Sequence, residues 1–253
     1  MVGHSDMTER KVSAPRLEPD PLQVAVLLAW SRLTVDLDPD ARGGSTEPHQ
    51  FGLSEADEAA LEIGLELREA WGASVRAVCL GPQPAEEVLR RAMELGIDDV
   101  IRIDGPVDSD QARRAYALAA EVQDCGVVLA GSASPRCGSG SVPAFVAHHL
   151  RATSGLGVGW LSAGAPGVIL VERWLDGGRR ERLELVAPCV TSVEPSAASL
   201  RCAQMDRIVD ARQQTIPTRG NDHLLGPLHA AQRRTSIEAD FQGGRKRSQV
   251  DFD

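Results

Sequence analysis

The chain is 253 residues long, with 42% apolar and 25% charged residues, proportions that suit one soluble globular domain with appendages. Its 27 basic residues stand against 36 acidic ones, a net charge of −9 that divides into −11 over residues 1–200 and +2 from Arg201 onward. An acidic body argues against electrostatic binding to nucleic acid or an anionic membrane, and nine aromatic rings are a thin supply for stacking a flavin or a run of bases.

Residues 1–20 are polar, carry Pro15 and Pro19, and read as a disordered lead segment. They contain no apolar run fit for a signal peptide, and nothing later reaches the roughly 18–20 apolar residues of a membrane span, so a cytoplasmic protein without membrane insertion is expected. The run QVAVLLA at 23–29 predicts a buried strand. After a polar stretch, 55–71 predicts an amphipathic helix with Ser54 as N-cap and Glu55, Asp57 and Glu58 at the positive end of its dipole. Strand 74–80, helix 84–95 closed by Gly96, strand 99–103, helix 109–123 and strand 126–131 follow. A Gly/Ser-rich loop then leads into helix 143–151, and Gly155-Leu156-Gly157-Val158-Gly159 reads as a turn. Residues 167–175 and 179–187 predict a hairpin about Asp176-Gly177-Gly178, and 189–193 a last strand. Strands alternating with helices predict an α/β fold with a doubly wound, mainly parallel sheet, Rossmann-like, with a late β-hairpin and an extended C-terminal arm. The boundaries expected are 1–20 for the lead segment, 21–199 for the α/β domain and 200–253 for the arm.

In an open α/β sheet, ligands sit beyond the carboxyl ends of the strands, which here selects the loops after Ala29, Leu80 and Gly131. The third reads Gly131-Ser132-Ala133-Ser134-Pro135-Arg136-Cys137-Gly138-Ser139-Gly140-Ser141-Val142-Pro143. Gly138 and Gly140 permit close backbone approach, Ser141 suits a cap, Pro143 suits a first helical turn, and Arg136 adds a cation; a phosphate is the natural guest. A flexible loop with an incidental arginine is the plainer alternative. The chain has no Walker loop, no G-x-G-x-x-G after its first strand and no nucleophile elbow. Its motifs therefore point to binding a nucleotide rather than transforming it. Five cysteines without C-x-x-C spacing suggest neither a disulfide framework nor zinc, and the adjacent His148 and His149 diverge on a helix, so no metal is expected.

The segment from Gly81-Pro82 through Ala85-Glu86-Glu87-Val88-Leu89-Arg90-Arg91-Ala92-Met93-Glu94-Leu95-Gly96-Ile97-Asp98 resembles the GPxxAEExLRxALAMGAD signature of electron transfer flavoprotein beta subunits. Asp57-Glu58-Ala59-Ala60-Leu61-Glu62 is similar to that family's DEIAVEE helix start. Val128-Leu129-Ala130-Gly131 stands where the family has a strand ending in G-K-Q, and Leu200 through Arg212 is similar to its PRYASLPNIMKAR segment. The matches run in the same order over about residues 22–212, with most likeness to divergent beta-like subunits associated with mycofactocin-dependent dehydrogenases.

The resemblance implies a non-catalytic electron carrier, a heterodimer whose FAD is held mainly by the alpha subunit, with AMP or another adenine nucleotide in beta. Electrons would pass from a flavin-linked dehydrogenase to a quinone oxidoreductase. It places Leu27, Ser54, Leu80, Gly131, Ser132, Arg136, Gly138, Ser139, Gly140 and Ser141 at the nucleotide, and puts Met205 where the family has a leucine that docks into the dehydrogenase. The carry-over is incomplete. Ser54-Glu55 replaces Asn-Pro, Ser132-Ala133 replaces Lys-Gln, and an acidic loop has become basic and glycine-rich, so ADP, FAD or no ligand at all are further possibilities. A free-standing ATP- or AMP-binding regulator of the universal-stress type is the main alternative, disfavoured by the hairpin and the arm. An adenylating PP-loop enzyme lacks its SGGxDS loop here.

Overall fold

The computed structural model describes residues 22–33, 51–106, 110–132 and 140–220. In chain order these form β1 (Gln23–Leu28), β2 (Ser31–Arg32), β3 (Phe51–Gly52), α1 (Glu55–Trp71), β4 (Ser74–Leu80), α2 (Glu86–Glu94), β5 (Asp99–Ile103), α3 (Gln111–Glu121) and β6 (Val127–Gly131). They continue with α4 (Ser141–Leu150), β7 (Thr153–Ala163), β8 (Val168–Leu175), β9 (Arg179–Val186), β10 (Cys189–Val193), α5 (Met205–Gln213) and β11 (Thr218–Arg219).

Nine strands make one sheet in the order β11-β5-β4-β1-β6-β10-β7-β8-β9. Every pair from β11 to β7 is parallel, and β8 and β9 extend the sheet as an antiparallel hairpin. Side chains alternate across the sheet with period two. Val24, Val26 and Leu28 of β1, with Val127 and Leu129 of β6, point into the core beneath α1 and α2. Ala25 and Leu27, with Val128 and Ala130, point into a second core beneath α3 and α4. Helices on both faces make the sheet doubly wound. The chain turns from one side of β1 (β4, β5) to the other (β6), so the switch point lies between the carboxyl ends of β1 and β6.

The helices form where their ends are satisfied. Ser54 caps α1 by accepting the Asp57 N–H at 3.1 Å, and Arg68 of its last turn reaches the Gly96 carbonyl at 2.7 Å. The end of α2 has paired bonds from Ile97 N–H to the Ala92 carbonyl and from Gly96 N–H to the Met93 carbonyl, closed by Gly96 at φ +88°. The same pattern ends α4, with Ala152 N–H on Ala147 and Arg151 N–H on His148, yet the left-handed residue is Arg151, at φ 53°. Arg151→Gly removes that strain against a loss of chain entropy. It is expected to stabilise the protein by about 0.5–1 kcal/mol, read as a higher urea midpoint at unchanged m.

One local expectation is corrected. Gly155 to Gly159 are not a turn but the middle of β7, an 11-residue strand that pairs with β10 in parallel and with β8 in antiparallel fashion. The glycines answer to neighbours distant in sequence. A Cβ on Gly155 would lie 2.6 Å from Leu185 Cδ1, and one on Gly159 would touch the Trp174 ring at 3.7 Å. Gly157, at φ +68°, sits where the β10 register shifts, and its N–H donates to Ser192 Oγ at 3.0 Å. Helix α4 also starts two residues before the expected 143, at Ser141.

Candidate functional site

The switch point between β1 and β6 is built around a buried carboxyl that the sequence reading treated only as a helix-start residue. Asp57 is 4% exposed, and Ser54 Oγ donates to its Oδ2 at 2.7 Å. Backbone N–H groups of Ser54, Gly131 and Ala29 also act on the carboxylate, so it joins the ends of β1 and β6 to the start of α1. Burial pushes its pKa up to about 6, more than these hydrogen bonds pull it down. The capping pattern Ser-x-x-Asp at 54–57 was the available signal.

The expected nucleotide residues divide into three groups. Leu27 and Leu80 are 4% and 1% exposed and belong to the core under α3 and α4. The Ser54 hydroxyl is engaged by Asp57. Gly131 and Gly140 are glycines for space: a Cβ at 131 would lie 2.8 Å from Asp57 Oδ1, and one at 140 would lie 2.0 Å from the Ser132 carbonyl oxygen. Ser132 continues the β6 ladder, its N–H donating to the Val193 carbonyl at 2.9 Å. Gly140, not Ser141, holds the N-cap position of α4 and offers no side chain there, while Ser141 Oγ donates to Gln111 Oε1 at 2.6 Å. The end of β6 and the start of α4 thus meet backbone to backbone. Arg136, Gly138 and Ser139 lie outside the described residues.

Beyond β1, Trp30 packs against the core and stacks on Phe51 of β3 at 4.1 Å, with the Arg32 guanidinium 5.4 Å from the Phe51 ring centre. Cys79, at the end of β4, is fully buried, and burial pushes its thiol up to about 12, which leaves it unreactive. Among the described residues, no group of three or more His, Cys, Asp or Glu is placed to hold a metal, and no helix is long and apolar enough to cross a membrane.

Two further surfaces stand out. On α5, Met205 is 75% and Val209 49% exposed, one turn apart on the same side, while Ala211 is buried. The segment leading into α5 is fixed by Arg201. Its N–H and guanidinium reach the buried Glu62 at 3.0 and 2.8 Å, and it also pairs with Glu69, which holds that carboxyl below its usual range. On the outer face of the β7–β8–β9 ribbon, Trp160, Trp174 and Leu170 line a groove of about 650 Å³. At its centre Glu172 is gripped by Arg182 at 2.7 Å and Arg180 at 3.0 Å, and Arg182 above all lowers its pKa. Half the tryptophans of the chain stand on this one solvent face. Sequence reasoning missed it because the face exists only once the strand register is known.

The fold defines a doubly wound α/β protein with its switch point between β1 and β6 and, after its last central strand, a helix with two exposed apolar side chains. Residues 46–220 match the electron transfer flavoprotein domain, and the chain belongs to that family. It is 30% identical over 174 residues to the electron transfer flavoprotein subunit beta of Mycobacterium leprae (strain TN), 65% of each chain. It is 26% identical over 171 residues to the acryloyl-CoA reductase electron transfer subunit gamma of Anaerotignum propionicum, 63% of this chain and 62% of that one. A third relative, protein FixA of Rhizobium meliloti (strain 1021), is 26% identical over 171 residues, 63% of this chain and 58% of FixA. The aligned part is less than two thirds of each relative's length, from 58% to 65%.

Proposed function

We propose that this chain is the beta-type subunit of a heterodimeric electron transfer flavoprotein. It relays electrons from a flavin-linked dehydrogenase toward a quinone oxidoreductase, its FAD held mainly by the alpha-type partner and an adenine nucleotide held in its own crevice. The observation that carries this reading is the family match, which covers α1, β6, the start of α4 and α5 in one stretch, residues 46–220.

The flavin supplies the redox chemistry, accepting and passing on electrons, and this chain supplies binding and orientation. A phosphate would approach the start of α4, the positive end of its dipole, where Gly140 contributes no side-chain cap. Gly131, Ser132, Gly140 and Ser141 would approach the nucleotide by their backbone, which makes the loss of the family's Lys-Gln pair tolerable. Leu27, Ser54 and Leu80 would support it from beneath, with Arg136, Gly138 and Ser139 completing the loop. Met205, on a fixed helix and three-quarters exposed, would be the dehydrogenase anchor. The exposed Trp160 and Trp174 support a subunit over a free-standing regulator, since a solvated ribbon face is ordinarily polar.

The test is co-expression with the alpha-type subunit, followed by absorbance, nucleotide extraction and electron-transfer kinetics. A yellow 1:1 heterodimer is expected, with an adenine nucleotide beyond that of FAD. Met205→Ala should lower the efficiency of reduction by the dehydrogenase about tenfold, the loss of ~1.4 kcal/mol of anchor contact, and leave flavin content unchanged. A colourless, dissociated chain that binds ATP tightly by itself would overturn the carrier reading. Unchanged transfer rates in Met205→Ala would dispose of the anchor.

A further inference from the structure

Helix α5 is short, nine residues with only Ala211 buried, and its N-cap residue Gln204 makes no side-chain cap. Such a helix has little intrinsic reason to persist, because nucleation is costly and few apolar contacts offset it. Its C-terminal end is closed instead by one side chain from another element. Arg90 of α2 donates through Nη1 to the Ala211 carbonyl at 2.8 Å and to the Gln214 carbonyl at 3.1 Å. A guanidinium there satisfies carbonyls that have no partner within the helix and faces the negative end of its dipole.

Arg90 is itself oriented. Its Nη2 lies 3.6 Å from Glu86, whose other carboxylate oxygen lies 3.3 Å from Nε of Arg102. Arg102 is 7% exposed and is fixed on both sides, its Nη1 donating to the Gly81 carbonyl at 2.9 Å and its backbone N–H to the Pro217 carbonyl at 2.9 Å. The chain of charges therefore runs from Asp104 through the buried Arg102 of β5 and Glu86 to Arg90 and the carbonyls of α5. Arg207 on Asp98, at 3.4 Å and well exposed, adds little by comparison.

We infer that Arg90 is a positioning residue for partner docking: by closing the carbonyl end of α5 it holds Met205 and Val209 together on one outward ridge. This rests on the docking reading of Met205 above. An anchor on a preformed helix avoids ordering that helix at the moment of contact, so the clamp acts on encounter and not on the electron-transfer step.

The experiment uses the holo heterodimer and the dehydrogenase that reduces it, with Arg90→Ala, Arg90→Lys, Met205→Ala and, as a control on the neighbouring partly buried pair with Glu94, Arg91→Ala. In Arg90→Ala, hydrogen exchange of amides 208–214 should rise at least tenfold. The KM of the dehydrogenase for the carrier should rise about five- to tenfold, with kcat and the flavin spectrum unchanged. Arg90→Lys, which keeps a donor for one carbonyl, should recover most of both effects, and Arg91→Ala should show neither. If Met205→Ala raises KM and Arg90→Ala leaves it at the wild-type value, the inference fails and the docking reading stands. If Met205→Ala leaves KM unchanged, the docking reading itself fails. A fall in kcat or flavin content in Arg90→Ala that lysine does not rescue would mark a merely structural role and overturn the inference.

Discussion

Asp57→Asn is expected to remove about 3 kcal/mol of pH dependence from the stability of this protein between pH 4 and pH 7. The carboxyl is 4% exposed, and burial raises its pKa from 3.8 to about 6 in the folded state. The folded pKa lies above the unfolded one, so the native state binds more protons between them. The stabilising contribution is therefore complete below pH ~4 and is lost as pH rises through 6. A shift of about two units corresponds to ~3 kcal/mol. Most paired carboxylates act in the opposite direction, so the whole-protein profile mixes both signs, and the useful quantity is the difference between wild type and Asp57→Asn. Urea denaturation at several pH values should show wild type losing about 3 kcal/mol relative to the variant from pH 4 to pH 7. Parallel profiles would show that the carboxyl titrates in the folded state as it does in the unfolded one. Ser54→Ala should accentuate the effect, since it removes both the α1 cap and a hydrogen bond that stabilises the carboxylate.

That the site centres on Asp57 was only partly legible. The central strands were readable because each is buried on both faces and therefore continuously apolar, as in Val24 to Leu28. The caps of α1 and α2 were readable because Ser54 and Gly96 act within one turn of their helices. The Gly155 to Gly159 stretch was misread for the converse reason. Its glycines are explained by Leu185 and Trp174, about thirty and fifteen residues away, and local chemistry alone makes spaced glycines a turn. The aromatic groove likewise depends on Trp160 lying opposite Glu172, and Glu172 opposite Arg182.

The split of charge between body and arm also acquires a physical meaning. Arg201 is paired with Glu62 and Glu69 of α1, and Arg207 with Asp98, so part of the arm's positive charge is matched by its own domain. The arm's described part folds back on the domain as α5 and β11. Met205 could be singled out only through resemblance, because an exposed methionine has no local signature of its own.

Gly140→Ala is the second large effect expected, and it separates two reasons for a glycine. Backbone freedom is not the issue at position 140, where φ is −89°, open to any residue. The issue is space: an added Cβ would stand 2.0 Å from the carbonyl oxygen of Ser132, a residue whose N–H holds it in the sheet by donating to the Val193 carbonyl. The start of α4 must then withdraw from the end of β6, at a cost of about 1–3 kcal/mol for overpacking at a rigid contact. Gly131→Ala should cost less: Asp57 Oδ1 at 2.8 Å, and Ala56 Cβ and the Asp57 backbone N at 3.1 Å, crowd an added Cβ, but none stands as near as the carbonyl oxygen at position 140. If the crevice holds a phosphate between these two backbone segments, the heterodimer carrying Gly140→Ala should lose most of its extractable adenine nucleotide while keeping its flavin. Gly131→Ala should keep both. Equal nucleotide retention in the two variants, with equal urea midpoints, would separate the β6–α4 contact from the binding site and leave it a packing feature alone.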